Sequence, residues 1–371
     1  MQKTRWLAAW RNSTGKPIFY HCISRVVERR LAFGPGEKEK FRTFMRMQEK
    51  FTGCHAVSYC LMSNHFHLLL EVPPMAKGGL SDAELLKRLS AIYNEAFVAE
   101  VAKELADARN EQNYANESGL DEAVASIHGR FTYRMHDLGE FMKGLLQRFS
   151  QWFNRTQERT GHLWENRFKS VIVEDGVAAK TIAAYIDLNP VRAGIVQDPA
   201  DYRWSSYGEA IGGGAKGNGK TARAGLVRAL RAHQGIGADA DLWSTGVSRD
   251  YRKLLLAGAV GKTTERVGPD GEIALKTLRK GMSKKDAEKE DAKDGEIPFG
   301  KMLRCRVRYF TDGAIIGSHD FVNDAFSSSR ARFGKSRKDG PRKLRGDASP
   351  AAGVLWSLRD LRKSITAGEA V

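Results

Sequence analysis

The chain has 371 residues, 42% of them hydrophobic, which is enough for two or three domains with at least one real core. No apolar run approaches the roughly 18 residues of a membrane helix, and the four cysteines never form Cys-x-x-Cys, which excludes a disulfide framework or zinc knuckle. Sixty Lys and Arg against 44 Asp and Glu give a formal charge of +16. This composition predicts a cytoplasmic globular protein with a polyanionic partner, nucleic acid first; a merely solvated basic surface is the alternative.

The first predicted elements are a strand and a helix. Residues 17–25 alternate as a strand, with His21 on the face that carries Phe19 and Ile23. Residues 37–50 carry an apolar stripe and predict a helix. His21 can face the functional surface of the sheet, but a lone histidine is more often a structural group, so it is a minor candidate.

A histidine pair, His65 and His67, follows in a segment of strand composition that runs from about 55 to 72 and ends at Pro73. Successive strand side chains alternate, so the two imidazoles share one face while Phe66 points into the core behind them. Such a pair can hold two corners of a divalent-metal site. A His-x-His pattern is short, and two histidines that merely line a half-buried sheet remain the alternative.

Two helical segments come next. Residues 81–137 show helical periodicity and resemble an inserted helical hairpin, while 141–155 predict an amphipathic helix packed on the sheet. Residues 159–169 then mix basic and aromatic side chains, which can contact phosphates and stack bases, or equally form a core-facing aromatic pair with solvated arginines. The nucleic-acid candidates of this part of the chain and beyond are Arg148, Arg155, His162, Trp164, Arg167, Lys169 and Arg192.

A short strand at 170–173 precedes a helix predicted from 177 to about 188, with Asp175 as its N-cap. Residues four apart share a helix face, so Tyr185 and Asn189 project together, with geometry that Pro190 makes approximate. Taken alone, this pattern is also that of a helix end with a half-buried tyrosine.

The composition changes at residues 212–219, a glycine-rich linker or mobile loop that indicates a domain end. Beyond it we expect helices at 222–232 and 248–259, a solvated charged segment at 280–294, a strand at 303–310 and a short helix from 318 or 320 to 326. The basic residues between 330 and 345 are a phosphate-binding tail or a solvated coil.

Taken together, the Tyr20-His21 strand, residues 63–69, residues 160–170 and residues 185–194 closely resemble the REP-associated tyrosine transposases, IS200-like members of the single-tyrosine HUH endonucleases. The resemblance covers about 16–207. It implies an α+β, ferredoxin-like antiparallel sheet with helices on one face, and cleavage and rejoining of hairpin-containing single-stranded DNA. It also implies His65, His67 and Asn189 as ligands of Mg²⁺ or Mn²⁺, and Tyr185 as the nucleophile that forms a 5′-phosphotyrosine.

The resemblance leaves parts of the chain without a role. We predict a catalytic domain at 1–211, with a helical insertion at about 75–140, and a basic C-terminal extension at 212–371 that could bind DNA. A domesticated hairpin DNA- or RNA-binding protein that does not cleave is the main alternative, and a metal-dependent phosphodiesterase that uses water is another. Monomer and homodimer both stay open.

Overall fold

The computed structural model describes residues 8, 15–110, 117–213, 218–231, 236, 241–259, 262–267, 273–279, 310–311, 314–330, 337–343 and 355–358. The predicted charged segment at 280–294 lies outside the described residues, as does much of the basic tail. Of the predicted strand at 303–310, only Phe310 is described. Within the described part of the chain, no helix is both long and apolar enough to cross a bilayer.

A central antiparallel sheet contains strands β1 (Ile18–Arg25), β2 (His55–Leu61), β3 (His65–Val72) and β4 (Lys169–Val173) in the order β2-β3-β1-β4. Helix α1 (Pro35–Thr52) lies between β1 and β2 in the chain, and helices fill the connection from β3 to β4. The β-α-β-β-α-β order and this strand order are those of a ferredoxin-like sheet. The predicted α+β class is therefore confirmed.

The predicted single strand from 55 to 72 is wrong, because the segment forms a hairpin. Strand β2 ends at Leu61, and the chain turns through Met62, Ser63 and Asn64 before β3 begins at His65. The turn is closed by the Met62 amide, which donates to the His65 carbonyl at 2.9 Å. Ser and Asn favour turns because their side chains compete for local backbone groups. The histidine pair thus opens β3 directly after a turn.

Helices cover both faces of the sheet, not the single face that the sequence predicted. On one face α1 and α5 (Leu138–Thr156) form a core with the side chains of Tyr20, Phe66 and Leu68. On the other face α6 (Val177–Asp187) packs with Val57, Leu69 and Val171. Helices pack on the second face because the strands are apolar on both faces, and exposure of an apolar face to water is unfavourable in free energy.

The ends of α1 and α5 follow local rules. Gly53 ends α1 with a φ of 72°, a left-handed conformation that suits glycine, and its amide donates to the Glu49 carbonyl. Asp137 caps α5 by accepting from the Glu140 amide at 2.9 Å. Helix α6 instead begins after Gly176, whose φ is 70°, and the predicted cap Asp175 precedes that glycine.

In its described residues, the insertion between β3 and α5 forms three helices, where a helical hairpin was predicted. These are α2 (Asp82–Leu89), α3 (Glu95–Ala108) and α4 (Glu117–Thr132). They share a small core of their own, and Phe51 of α1 joins it. The buried members of this core are Phe51, Leu85, Leu89, Val101, Leu105, Phe131 and Met135. The insertion thus has a small core of its own, which packs on the C-terminal end of α1.

The chain beyond the glycine-rich segment contributes to the same sheet and cores. A short helix α7 (Asn189–Arg192) and α8 (Ser206–Gly212) lead to α9 (Asn218–Arg231) and α10 (Thr245–Ala259), and Leu226 and Tyr251 of these last two helices are buried with α6. The predicted helices at 222–232 and 248–259 therefore exist. The boundary predicted at 211/212 falls at the last residue of α8, and α8 and α9 contribute to one core, so a separate second domain stays a prediction.

Later strands extend the sheet past β4. A separate hairpin consists of β5 (Lys262–Val267) and β6 (Ile273–Arg279). Strand β7 (Ile315–Gly317) pairs in parallel with β4, and β8 (Arg342–Lys343) and β9 (Trp356–Ser357) follow in the order β7-β9-β8. Helix α11 (His319–Ser328) is capped by Ser318, one of the two predicted start residues. Seven of the nine described strands thus form one sheet.

Candidate active site

The two histidines lie where the sequence places them, on one face of β3. Phe66 packs into the core of α1 and α5, while His65 and His67 face the α6 side, with ring centroids 5.2 Å apart. His67 is 4% exposed, and His65 is half-buried. The alternation of a strand side chain from face to face is sufficient to bring the pair together.

Each histidine has a hydrogen-bond partner at Nδ1. The Nδ1 atom of His65 lies 2.6 Å from Oδ1 of Asn64, and Nδ1 of His67 lies 3.1 Å from Nε2 of His21. His21 is fully buried in the neighbouring strand β1, and its ring is stacked on that of His67. The Nε2 atoms of the pair are therefore the ring nitrogens left over for a ligand.

The rings are uncharged at neutral pH. Burial lowers the pKa of His65 to about 4, with a smaller contribution from the charge of Arg25. Burial likewise lowers the pKa of His67 well below its usual value, and the neighbouring His21 and His65 add to the effect. A neutral imidazole keeps a lone pair, which is the form that binds metal ions.

Tyr185 lies on α6 against these rings. Its ring centroid is 5.7 Å from that of His67 and 6.0 Å from that of His21, edge-on in both cases. The Arg192 guanidinium carbon lies 5.0 Å above the tyrosine ring, and Phe310 packs on it with centroids 4.8 Å apart. Burial raises the pKa of Tyr185 to about 12, and the charge of Arg192 opposes that shift.

Asn189 follows one turn later, at a break in the helix. Helix α6 ends at Asp187, and α7 begins at Asn189, so the break falls at Leu188, two residues before Pro190. The Nδ2 atom of Asn189 donates to the carbonyls of Tyr185 and Ile186 at 3.0 and 3.1 Å. Its amide oxygen is the atom that remains for another contact. Tyr185 and Asn189 were predicted to share a helix face. The contact between them is a hydrogen bond from the Asn189 side chain to the Tyr185 carbonyl.

This donor set fits a divalent metal that keeps open positions. Among the described residues, no group of three or more His, Cys, Asp or Glu is arranged to hold a metal ion. A site here would therefore combine the imidazoles of His65 and His67 with a neutral oxygen such as that of Asn189. Few protein ligands and no thiolate suit Mg²⁺ or Mn²⁺ better than a closed zinc site.

Three of the predicted nucleic-acid candidates lie on one exposed segment. His162, Arg167 and Lys169 are exposed on the segment that leads into β4, and the amide of Glu165 in that segment donates to the Arg25 carbonyl at 2.9 Å. That contact places the segment beside the end of β1 that pairs with His65. The segment that carries these three residues therefore passes beside the strand end next to His65.

The remaining candidates differ in setting. Arg148 and Arg155 lie on α5, and the sheet separates that helix from α6; Arg148 is 5.9 Å from the Phe44 ring centroid. Trp164 packs among aromatic side chains of the core, including Phe33 and Phe66, so it occupies the core-facing arrangement that the sequence left open. Arg192 contacts the Tyr185 ring.

Sequence reasoning missed one contact of the site and undervalued another. Phe310 covers Tyr185, and its carbonyl oxygen lies 2.7 Å from Nδ1 of His21. His21 was only a minor candidate. The two are 289 positions apart, and no local pattern connects them. The alternation that placed His21 on the face of Phe19 and Ile23 was the only available indication.

Two comparisons with known proteins gave a match. Residues 16–107 match the family model described as "Transposase IS200 like", a span that contains both histidines and ends before Tyr185. A solved structure of a REP-associated tyrosine transposase bound to a REP hairpin aligns with a TM-score of 0.31 and 10% identity, covering 66% of this chain and 100% of that one. No curated protein matches. Residues 16–107, which include the histidine pair at the start of β3, are therefore similar to the IS200-like transposases.

Proposed function

We propose that this protein cleaves and rejoins hairpin-containing single-stranded DNA through a 5′-phosphotyrosine at Tyr185. The observation that carries the proposal is the position of Tyr185, whose ring lies edge-on to that of His67 at 5.7 Å. A nucleophile must lie beside the group that activates its target. The family match and the formal charge of +16 support DNA as the substrate.

The chemistry requires one displacement at phosphorus. The phenolic oxygen of Tyr185 attacks the scissile phosphate, the bond from phosphorus to the 3′ oxygen breaks, and that oxygen takes up a proton and leaves as a free 3′-OH. The phosphotyrosine keeps the 5′ end, and attack by a 3′-OH of another strand reverses the step. A divalent cation, Mg²⁺ or Mn²⁺, held by His65, His67 and Asn189, would draw charge from the phosphate oxygens.

The surroundings of Tyr185 explain why positive charge is needed there. A phenol with its pKa raised to about 12 is almost entirely protonated at neutral pH. Arg192, 5.0 Å from the ring, already favours the anion, and the cation would favour it further. Arg192 is therefore proposed to stabilise the developing phenolate as well as to approach the DNA.

The test is covalent trapping with a 3′-labelled single-stranded hairpin in Mn²⁺ or Mg²⁺. The wild-type protein should carry the label through denaturing electrophoresis, and Tyr185→Phe should carry none. The Phe variant retains the ring, so its free energy of unfolding should change by less than about 1 kcal/mol. Tyr133→Phe, at a tyrosine that is 64% exposed in the insertion, is the matched control and should form adduct normally.

Two results would contradict the proposal. Adduct with Tyr185→Phe would show that another residue is the nucleophile. Binding of hairpins without adduct by the wild-type protein, in either metal, would instead favour the DNA- or RNA-binding protein that does not cleave.

A further inference from the structure

The buried histidine of β1 has a hydrogen-bonding pattern that fixes where its protons lie. The Nδ1 atom of His21 is 2.7 Å from the carbonyl oxygen of Phe310. A carbonyl oxygen only accepts, so His21 Nδ1 must carry the hydrogen and donate it. His21 is fully buried, which disfavours a charged imidazole. Its Nε2 atom therefore has a lone pair and can only accept.

The next link in the chain follows from the first. Nε2 of His21 lies 3.1 Å from Nδ1 of His67. Because Nε2 of His21 accepts, Nδ1 of His67 must be the donor. A neutral His67 that carries its hydrogen on Nδ1 has its lone pair on Nε2. The order of donation is thus His67 to His21 to the Phe310 carbonyl.

We propose that His21 is a positioning residue that holds His67 in the tautomer with hydrogen on Nδ1, so that Nε2 of His67 faces the metal with a lone pair. The two rings are stacked with centroids 5.2 Å apart, so His21 also restrains the rotation of the His67 ring. Partners of this kind fix the tautomer and orientation of metal-binding histidines. The inference rests on the proposed metal site.

The proposal gives a role to the C-terminal part of the chain. The acceptor at the end of the hydrogen-bond chain is the Phe310 carbonyl, which lies outside the 16–107 family match. The Phe310 side chain packs on Tyr185, so one residue contacts both the nucleophile and the support of the ligand. The histidine ligand is therefore oriented through a contact that residues 16–107 cannot make alone.

The experiment compares His21→Leu with His21→Gln in the full-length protein. Leu fills a similar volume but neither accepts nor donates, whereas the Gln amide offers an acceptor oxygen and an NH2 group that donates. Cys22→Ala, on the opposite face of the same strand, is the control for general disturbance of β1. Two quantities are measured: the affinity for Mn²⁺ alone, and the protonated ring nitrogen of His67 by nitrogen-15 NMR of the metal-free protein.

We expect His21→Leu to weaken Mn²⁺ binding about 10- to 100-fold. We expect His21→Gln to recover most of the affinity and Cys22→Ala to leave it unchanged. The NMR spectrum should show hydrogen on Nδ1 of His67 in the wild-type protein and the Gln variant, with loss of that preference in the Leu variant. A purely structural role for His21 would not produce this change of tautomer.

Two outcomes would overturn the inference. Hydrogen on Nε2 of His67 in the wild-type protein contradicts it even if the Leu variant does not fold. Unchanged Mn²⁺ affinity in a folded Leu variant contradicts it as well. If instead the wild-type protein binds no Mn²⁺, or if His67→Ala does not affect binding, the proposed metal site has failed, and the tautomer measurement still tests the hydrogen-bond chain.

Discussion

Tyr185 combines two properties that oppose each other: it is 2% exposed, and its proposed task requires its oxygen to become an anion. Burial disfavours the phenolate, so the groups around the ring must compensate. Arg192 contributes a positive charge from one side, while the neutral rings of His21 and His67 contribute none. At the scale of single residues, the proposed chemistry therefore requires a further positive charge, which a cation held by the histidines would supply.

This reasoning predicts the effect of removing either histidine ligand. His65→Ala and His67→Ala should lower hairpin cleavage by more than about 100-fold, because each removes an imidazole from the cation. Affinity for single-stranded DNA should change by less than about threefold, since it comes mainly from basic and aromatic contacts. The checks are cleavage of labelled hairpins and a filter-binding or anisotropy titration.

A control separates this effect from the loss of any histidine. His128 of α4 pairs with Asp82 at 2.8 Å inside the insertion, and His128→Gln should leave cleavage unchanged. Full cleavage by either β3 variant, or by the wild-type protein with a chelator present, would exclude the proposed metal role.

At the scale of elements, α6 is held in place by a buried carboxylate. Asp187, two residues after Tyr185, accepts from the Tyr251 hydroxyl at 2.6 Å and from the Tyr207 amide at 3.0 Å. Burial raises the pKa of Asp187 to about 7, although these hydrogen bonds lower it. Tyr251 belongs to α10, so the helix that carries the nucleophile is tied to a helix beyond the glycine-rich segment.

Tyr251→Phe should therefore lower the free energy of unfolding by about 1 to 3 kcal/mol, because it leaves a buried carboxylate with one donor fewer. Chemical denaturation measures this change. Tyr207→Phe is the matched control: its hydroxyl lies 3.5 Å from Arg252, a longer contact, so its effect should be smaller. An equal loss of unfolding free energy in the two variants would show that the hydrogen bond to Asp187 contributes no extra stability.

At the scale of the whole molecule, the parts before and after residue 212 share one core. Leu226 of α9 and Leu255 of α10 are fully buried, in the same cluster as Tyr185. Arg228 of α9 also pairs with the buried Glu71 of β3 at 2.5 Å. Loss of these helices would uncover the apolar face of α6 and leave a buried carboxylate without its partner.

We accordingly expect a chain that ends at Gly212 to fold poorly, with aggregation or loss of the cooperative thermal transition. Circular dichroism melting and size-exclusion chromatography measure this outcome. A chain that lacks only residues 359–371 is the control and should melt normally. A stable, cleaving chain of residues 1–212 would instead support the separate catalytic domain that the composition predicts.

The periodicity of side chains along strands and helices is enough to predict which residues of the candidate site share a face. The period of two in a strand places His65 and His67 on one face, and the helical period brings Asn189 to the backbone of Tyr185. The same local rules predicted one strand where a hairpin forms, since apolar composition alone does not locate the turn at Met62 to Asn64.

Only the tertiary structure decided how these pieces meet. It set α6 against the histidine face, buried Tyr185 beneath Phe310, and turned His21 from a minor candidate into the partner of His67. It also covered the second face of the sheet with α6 and with helices from beyond residue 212. The physical reason is that these contacts join residues tens to hundreds of positions apart, and they form because apolar faces and buried polar atoms need partners wherever the chain can supply them.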